Sequence, residues 1–184
     1  MTSHPTRDTF MSPASSDPSS PVAAPAEGLS IREYRTGDLA SLISMNNKAV
    51  PAVNDLSAEE LVDQIAQART CLVAAEGEAL LGFLLCYAEK MDYDSRNYLW
   101  LNERLDRFFY TDRICVDEDH RGRRIGEKLY QALFAKFETE AVPFCCEVNT
   151  RPANPGSLRF HKRLGFEEIG EAEMGDKAVV YLKR

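Results

Sequence analysis

The sequence predicts an α/β fold, a mixed sheet of about seven strands flanked by helices on both faces, in the order βααβββαβαββ. Three observations lead there. Apolar residues alternate over several short runs, as they do on strands with one covered face. Between those runs, apolar residues recur at helical spacing. One helix, over residues 122–137, carries an apolar arc broad enough to lie across a sheet.

Residues 29–34 alternate as a first strand, and Asp38 stands where it can cap a helix running towards Val50. Ser57 and Glu60 have the spacing of a capping box for a second helix, in which Leu61, Ile65 and Ala66 recur on one face. Residues 70–76 and 79–87 are apolar strands joined at Gly77 and Glu78, which reads as a hairpin. Residues 109–116 form the next strand and run into a charged, glycine-containing loop. In the helix over 122–137, Ile125, Leu129, Tyr130, Ala132, Leu133, Phe134 and Phe137 fill one arc, while Glu127, Lys128, Gln131 and Glu138 fill the other. A strand over 144–149 and a helix over 155–164, stopped by Gly165, come next. Two strands, 166–171 and 178–182, close the chain around Gly175.

Composition narrows the classes of function. A chain of 184 residues suits one domain, and 44% hydrophobic with 28% charged residues is ordinary globular chemistry. A net charge of -7 argues against a nucleic-acid or acidic-membrane surface, which needs a basic face. The five cysteines are an odd set without a CxxC pair, mostly within apolar runs. They read as reduced core thiols of a cytoplasmic protein, with neither a disulfide framework nor a metal site. Residues 1–27 are rich in Ser, Pro, Ala and Thr and nearly devoid of large apolar side chains, so disorder is expected there. The folded domain is expected over 28–184.

The first chemical motif is Arg121-Gly122-Arg123-Arg124-Ile125-Gly126, placed between a strand and the amphipathic helix. The amides of a helix's first turn lack intrahelical acceptors and carry partial positive charge, so they attract phosphate. Glycines allow a bulky anion to approach, and arginines add charge. A solvated basic helix start explains the same residues equally well. Residues 122–128 are one residue short of a P-loop and lack its Ser or Thr, and no GxGxxG is present.

The second motif runs from Asn154 through Ser157, His161 and Leu164-Gly165-Phe166. With the first, in this order and separation, it resembles the GNAT superfamily of N-acetyltransferases over about residues 29–184. That family's cofactor loop reads Arg/Gln-x-x-Gly-x-Gly/Ala, and its later helix ends in Leu-Gly-Phe. The resemblance implies a single N-acetyltransferase domain that uses acetyl-CoA, without a metal, to acylate an amine. Ile114, Cys115 and Val116 would pair with the pantetheine arm. Arg121, Gly122, Arg123, Arg124, Ile125, Gly126 and Glu127 would hold the pyrophosphate, and Asn154 would hydrogen-bond the cofactor. Two departures stand out: Arg124 replaces the first glycine of the loop, and His161 stands where the family usually has its catalytic tyrosine.

Amide formation needs a base, because a free lysine-like amine has a pKa near ~10.4. Glu147 matches the glutamate that some family members use, and Asp112 is the second candidate. The Val116 amide is placed to stabilise the tetrahedral oxyanion, and His161 to protonate or hydrogen-bond the departing thiol. Cys115 has no thiolate-stabilising neighbour in sequence, which favours direct transfer. The long connection over 91–108 is aromatic and charged, as pocket walls often are. Tyr98 and Trp100 in it, with Tyr110, are candidate acceptor-binding residues, while a short helix covering the sheet is the plainer reading of the same stretch. A catalytically silent acyl-CoA sensor is the alternative function, and an Arg-loop nucleic-acid binder a more distant one. Neither a nucleic acid nor a membrane is expected as partner, and a homodimer remains open.

Overall fold

The computed structural model describes Met1 and residues 28–184; the tail expected to be disordered, with His4, otherwise lies outside the described residues. A seven-stranded sheet runs in the order β1-β2-β3-β4-β5-β7-β6. Its strands are β1 (Ser30–Glu33), β2 (Thr70–Glu76), β3 (Ala79–Ala88), β4 (Phe109–Val116), β5 (Phe144–Arg151), β6 (Glu167–Met174) and β7 (Lys177–Lys183). The helices are α1 (Leu39–Lys48), α2 (Ala58–Gln67), α3 (Arg96–Asn102), α4 (Ile125–Lys136) and α5 (Pro155–Arg163). The sheet is mixed: β4 and β5 are parallel and every other neighbouring pair is antiparallel.

Two apolar clusters flank the sheet. Leu84, Phe109, Cys146 and Val180 face α4, which brings Leu129, Tyr130 and Leu133, while Leu158 and Phe160 of α5 pack at the margin. Val73, Phe83, Tyr110 and Tyr181 face the other side, against Leu42 of α1, Leu61 of α2 and Leu101 of α3. Helices on both faces follow from strands buried on both faces.

Local chemistry explains the boundaries. Ser57 Oγ accepts from the Glu60 amide at 3.1 Å and Glu60 returns to the Ser57 amide at 2.8 Å, closing the capping box of α2. Asp38 precedes α1, but its carboxylate does not cap it. It takes both arms of the Arg32 guanidinium, at 2.7 and 2.9 Å, and the Arg35 amide. The order of elements along the chain is as the sequence suggests, with α3, the short helix that was the plainer reading of the long connection, added before β4. The helix expected from Gly122 begins only at Ile125, because Gly122 (φ 81°) and Arg124 (φ 59°) are left-handed and break the helical path. The four residues before α4 are therefore a loop that wraps its first turn.

The feature that makes a site lies in the middle of the sheet. β4 and β5 are registered only at Phe109 with Phe144 and Tyr110 with Cys145, after which they part. β5 continues along β7 for its whole length. β4 continues along β3, with a bulge at Asp112 between the Cys86–Thr111 and Leu85–Arg113 pairs. The bulge inverts the strand's alternation: odd-numbered Thr111 lines the cavity on the Tyr130 side of the sheet, while odd-numbered Cys115 packs with Tyr110 in the opposite cluster.

Candidate active site

The parted strands leave a V whose walls are backbone and whose ends are chemically different. One end is a cleft of about 790 Å³ between β4, α4 and α5. Ile114, Cys115, Val116, Arg121, Gly122, Arg124, Ile125, Gly126, Glu127 and Asn154 all line it, so ten of the eleven residues singled out for cofactor binding come together there. Arg123 is the exception, its guanidinium paired with Glu76 at 2.8 Å on the outer surface. Cys115 contributes backbone only, since its side chain is buried in the opposite cluster and burial pushes its thiol up to about 12.

The cleft has the donors for an anion. Lys128 makes the first bond of α4, to the Arg124 carbonyl at 3.1 Å, so the Ile125, Gly126 and Glu127 amides precede any intrahelical acceptor. A Cβ at Gly126 would stand 3.1 Å from the Phe160 ring of α5, so glycine is what lets α4 and α5 approach this closely beside the cleft. Arg124 does not crowd the cleft: its side chain is 75% exposed and turned onto Glu127. Arg121 has no ion-pair partner among the described residues. Asn154 lines the cleft and caps α5, its Oδ1 accepting from the Ser157 amide at 3.1 Å, so its side-chain amide hydrogens are not used by the cap.

The other end of the V is a chamber of about 90 Å³, lined by Glu147 and Asp112 on one face and by Tyr130 and His161 on the other. Glu147 Oε2 accepts from the Tyr110 hydroxyl at 2.8 Å and Oε1 from Asn97 Nδ2 at 2.9 Å. Asn97 is itself oriented by the Tyr181 hydroxyl, 3.0 Å from its Oδ1. With no cation beside it, burial and then the charge of Asp112 push the Glu147 carboxyl up to about 8. Asp112 differs. Its Oδ1 takes the Tyr93 hydroxyl and its Oδ2 takes Arg113 Nε at 2.6 Å, so both oxygens are committed. Arg113 also donates to Asn46 of α1 at 2.8 Å.

His161 is buried, and burial pushes its imidazole below the ordinary histidine range. Nδ1 lies 2.9 Å from the Ser157 carbonyl, which can only accept, so Nδ1 carries the hydrogen. Nε2 is then the acceptor for the Tyr130 hydroxyl, 2.9 Å away. Both ring nitrogens are engaged in the neutral state.

The three aromatic candidates for the acceptor fall in different places. Tyr110 holds Glu147. Tyr98 is fully buried, with its hydroxyl donating to the Ala88 carbonyl and accepting from the Met91 amide at 2.8 Å, which makes it an anchor for the 91–108 connection. Trp100 stacks on Tyr181 at 3.8 Å with Arg104 over its outer face at 4.1 Å, and acts on the site only through Tyr181 and Asn97. Sequence reasoning missed Asn97, Tyr130, Tyr181 and Arg113. Asn97 lay inside the connection already marked for pocket building. Tyr130 stood in the apolar arc of α4, where a hydroxyl buried among core residues was the available signal.

A model described as the acetyltransferase (GNAT) family matches residues 39–166. The chain belongs to that family. No curated protein sequence matches it significantly. Among solved structures, Ard1 from Thermoplasma volcanium is similar, with a TM-score of 0.67 at 17% identity over 85% of this chain and 96% of that one. Arabidopsis thaliana Naa50, in complex with a bisubstrate analogue joining CoA to a peptide, has a TM-score of 0.65 at 18% identity over 85% and 97%. A putative acetyltransferase from Salmonella typhimurium, solved with its cofactor acetyl-CoA, has a TM-score of 0.64 at 17% identity over 85% and 92%. At these identities the likeness is one of fold, and the GNAT architecture is shared across the described domain. No helix among the described residues is long and apolar enough to cross a membrane.

Proposed function

We propose that this GNAT protein transfers the acetyl group of acetyl-CoA directly to a primary amine of a small molecule or peptide. One observation carries the reading: a single V between β4 and β5 has an anion-binding helix start at one end and an uncompensated carboxyl at the other. The amides of 125–127, with Arg121, suit a pyrophosphate, and the cleft between α4 and α5 fits the cofactor's chain. Solved relatives that bind acetyl-CoA or a CoA-linked bisubstrate support the same co-substrate here.

When bound, acetyl-CoA supplies a thioester carbonyl open to attack. Glu147, as carboxylate, takes a proton from the incoming ammonium or through one water, and Tyr110 and Asn97 keep both its oxygens in place. Asp117 donates its amide to Leu81 of β3, so strand alternation turns the Val116 amide to the edge that β5 has left. That amide is the donor for the oxyanion. As the C–N bond forms and the C–S bond breaks, the Tyr130 and His161 pair lines the wall where the thiolate departs. The buried thiol of Cys115, facing away, supports direct transfer over a covalent relay.

The engagement of both His161 nitrogens favours a second reading, in which the protein binds acyl-CoA as a sensor without turnover. Release of CoA thiol in the presence of an amine panel separates the two. Tight acetyl-CoA binding by calorimetry with no amine-dependent thiol release would sink the enzyme.

A further inference from the structure

Resting on the reading of amine acetylation, we propose that the acceptor is a small primary monoamine with an uncharged, apolar body, and neither an α-amino acid nor a peptide. The chamber, the mouth beside it and the ties across that mouth converge on this class.

The chamber beside Glu147 holds two carboxylates and a single lining cation, Arg113. That guanidinium is already engaged by Asp112 at 2.6 Å and Asn46 at 2.8 Å. An ammonium group is therefore welcome. A carboxylate one carbon away from it would be desolvated beside Glu147 and Asp112 without any counter-charge, which is the costly way to bury an ion.

Next to the chamber lies a mouth of about 200 Å³, between the α1–α2 connection and the β5–α5 connection. Its walls are small and apolar, Pro51 and Ala52 facing Pro152 and Ala153, with Asn149 and Asn154 as the polar members and no charged side chain among them. A short hydrocarbon body fits such walls; a second charge on the acceptor has nothing to meet.

The mouth is also tied across. Asn149 Nδ2 donates to the Ala52 carbonyl at 3.5 Å, joining the two connections that frame it. Arg151 donates to the Gly175 and Asp176 carbonyls at 3.0 and 3.2 Å, pinning the β6–β7 turn to the end of β5. Chamber and mouth are each smaller than the ~300 Å³ from which ligand pockets usually start. An extended peptide needs an open trough of about 3.3 Å for every residue, and the contact of Asn149 with Ala52 narrows the opening between these two connections.

The experiment compares 3-methylbutylamine, leucine (the same body with a carboxylate added) and a pentapeptide beginning with leucine, each with acetyl-CoA and the full chain. The amine should exceed both others in kcat/KM by about 100-fold or more. In Ala52→Lys, on an exposed loop, the new cation should improve leucine relative to the amine by about fivefold. Leucine or the peptide turned over as well as the amine overturns the proposal. So does release of CoA thiol with other members of an amine panel but with none of these acceptors. Failure to bind acetyl-CoA, or binding with no amine of the panel turned over, removes the parent reading instead, which keeps the two failures apart.

Discussion

Tyr110 donates its hydroxyl hydrogen to Glu147 Oε2 at 2.8 Å from the last position at which β4 and β5 are still paired. The residue that ends the pairing therefore also holds the carboxyl that the parted strands expose. Asn97 takes the other oxygen, so Glu147 is fixed by two neutral donors and no cation. That combination locks the geometry while leaving the group protonated until mildly alkaline pH.

The first prediction concerns Glu147→Gln. In the wild type, turnover should rise with pH and level off above an inflection near the carboxyl's value of about 8, because only the carboxylate accepts a proton. The glutamine variant should lose that inflection and about 100-fold in kcat near pH 8, with acetyl-CoA binding unchanged. The deficit should shrink as the pH nears ~10.4, where the amine sheds its own proton. Initial rates of thiol release across the pH range test this, and an inflection that survives in the variant removes Glu147 from the chemistry.

Asn97→Ala tests positioning through Glu147. The substitution removes the donor 2.9 Å from Oε1 and strands the Tyr181 hydroxyl. Asn97 stabilises the charged form, so its loss should move the inflection to higher pH and lower kcat at neutral pH. KM for acetyl-CoA should stay the same, since Asn97 is not among the residues that line the cleft around the 121–127 loop. A purely structural role would lower activity without moving the inflection.

What the sequence shows and what it conceals divide along physical lines. Strands and helices with strong apolar periodicity, such as β2, β3 and α4, were legible because burial of one face dictates their pattern. The loop before α4 was legible as an anion site from Gly122, Gly126 and the arginines, yet which arginine stays free was not. Arg123 and Arg124 are drawn off by Glu76 and Glu127, and Glu76 lies 47 residues away in sequence. The bulge at Asp112 also left no local mark, since it depends on how β3 and β4 register. For the same reason Asp112 stayed a second candidate base behind Glu147. Only the fold brings Arg113 and Tyr93 onto one and withholds any cation from the other.

Gly126→Trp should abolish acetyl-CoA binding in calorimetry. At this position even a Cβ comes within 3.1 Å of Phe160 and 3.6 Å of Ile114, so an indole has to move into the cleft that Gly126 lines. Gly126 lies in the first turn of α4, where the helix can adjust without losing its core contacts at Leu129 and Leu133, so a cooperative melt should persist. Retained binding at wild-type affinity would place the cofactor elsewhere.

The carboxyl that makes Glu147 useful should also make it a liability to the fold, with a definite pH signature. Its folded value, about 8, lies above the ordinary 4.5, so the folded state prefers the protonated acid. The stabilisation from this residue is fully present below the ordinary value and is lost as pH rises through the folded one. Glutamine resembles the neutral acid and never ionises. Glu147→Gln should therefore melt close to the wild type near about pH 5 and above it near about pH 9, by on the order of 3–5 kcal/mol. At this chain length each kcal/mol corresponds to about 2–4 °C in Tm. Because every other titrating group is common to both proteins, the difference between their melting curves isolates this one. An offset that is the same at both pH values would mean that the carboxyl is not held uncharged in the fold, and it would also remove the reason for an inflection near 8 in turnover. A stability difference that grows from about the ordinary value and levels off near the inflection of the rate profile would tie both to a single proton on Glu147.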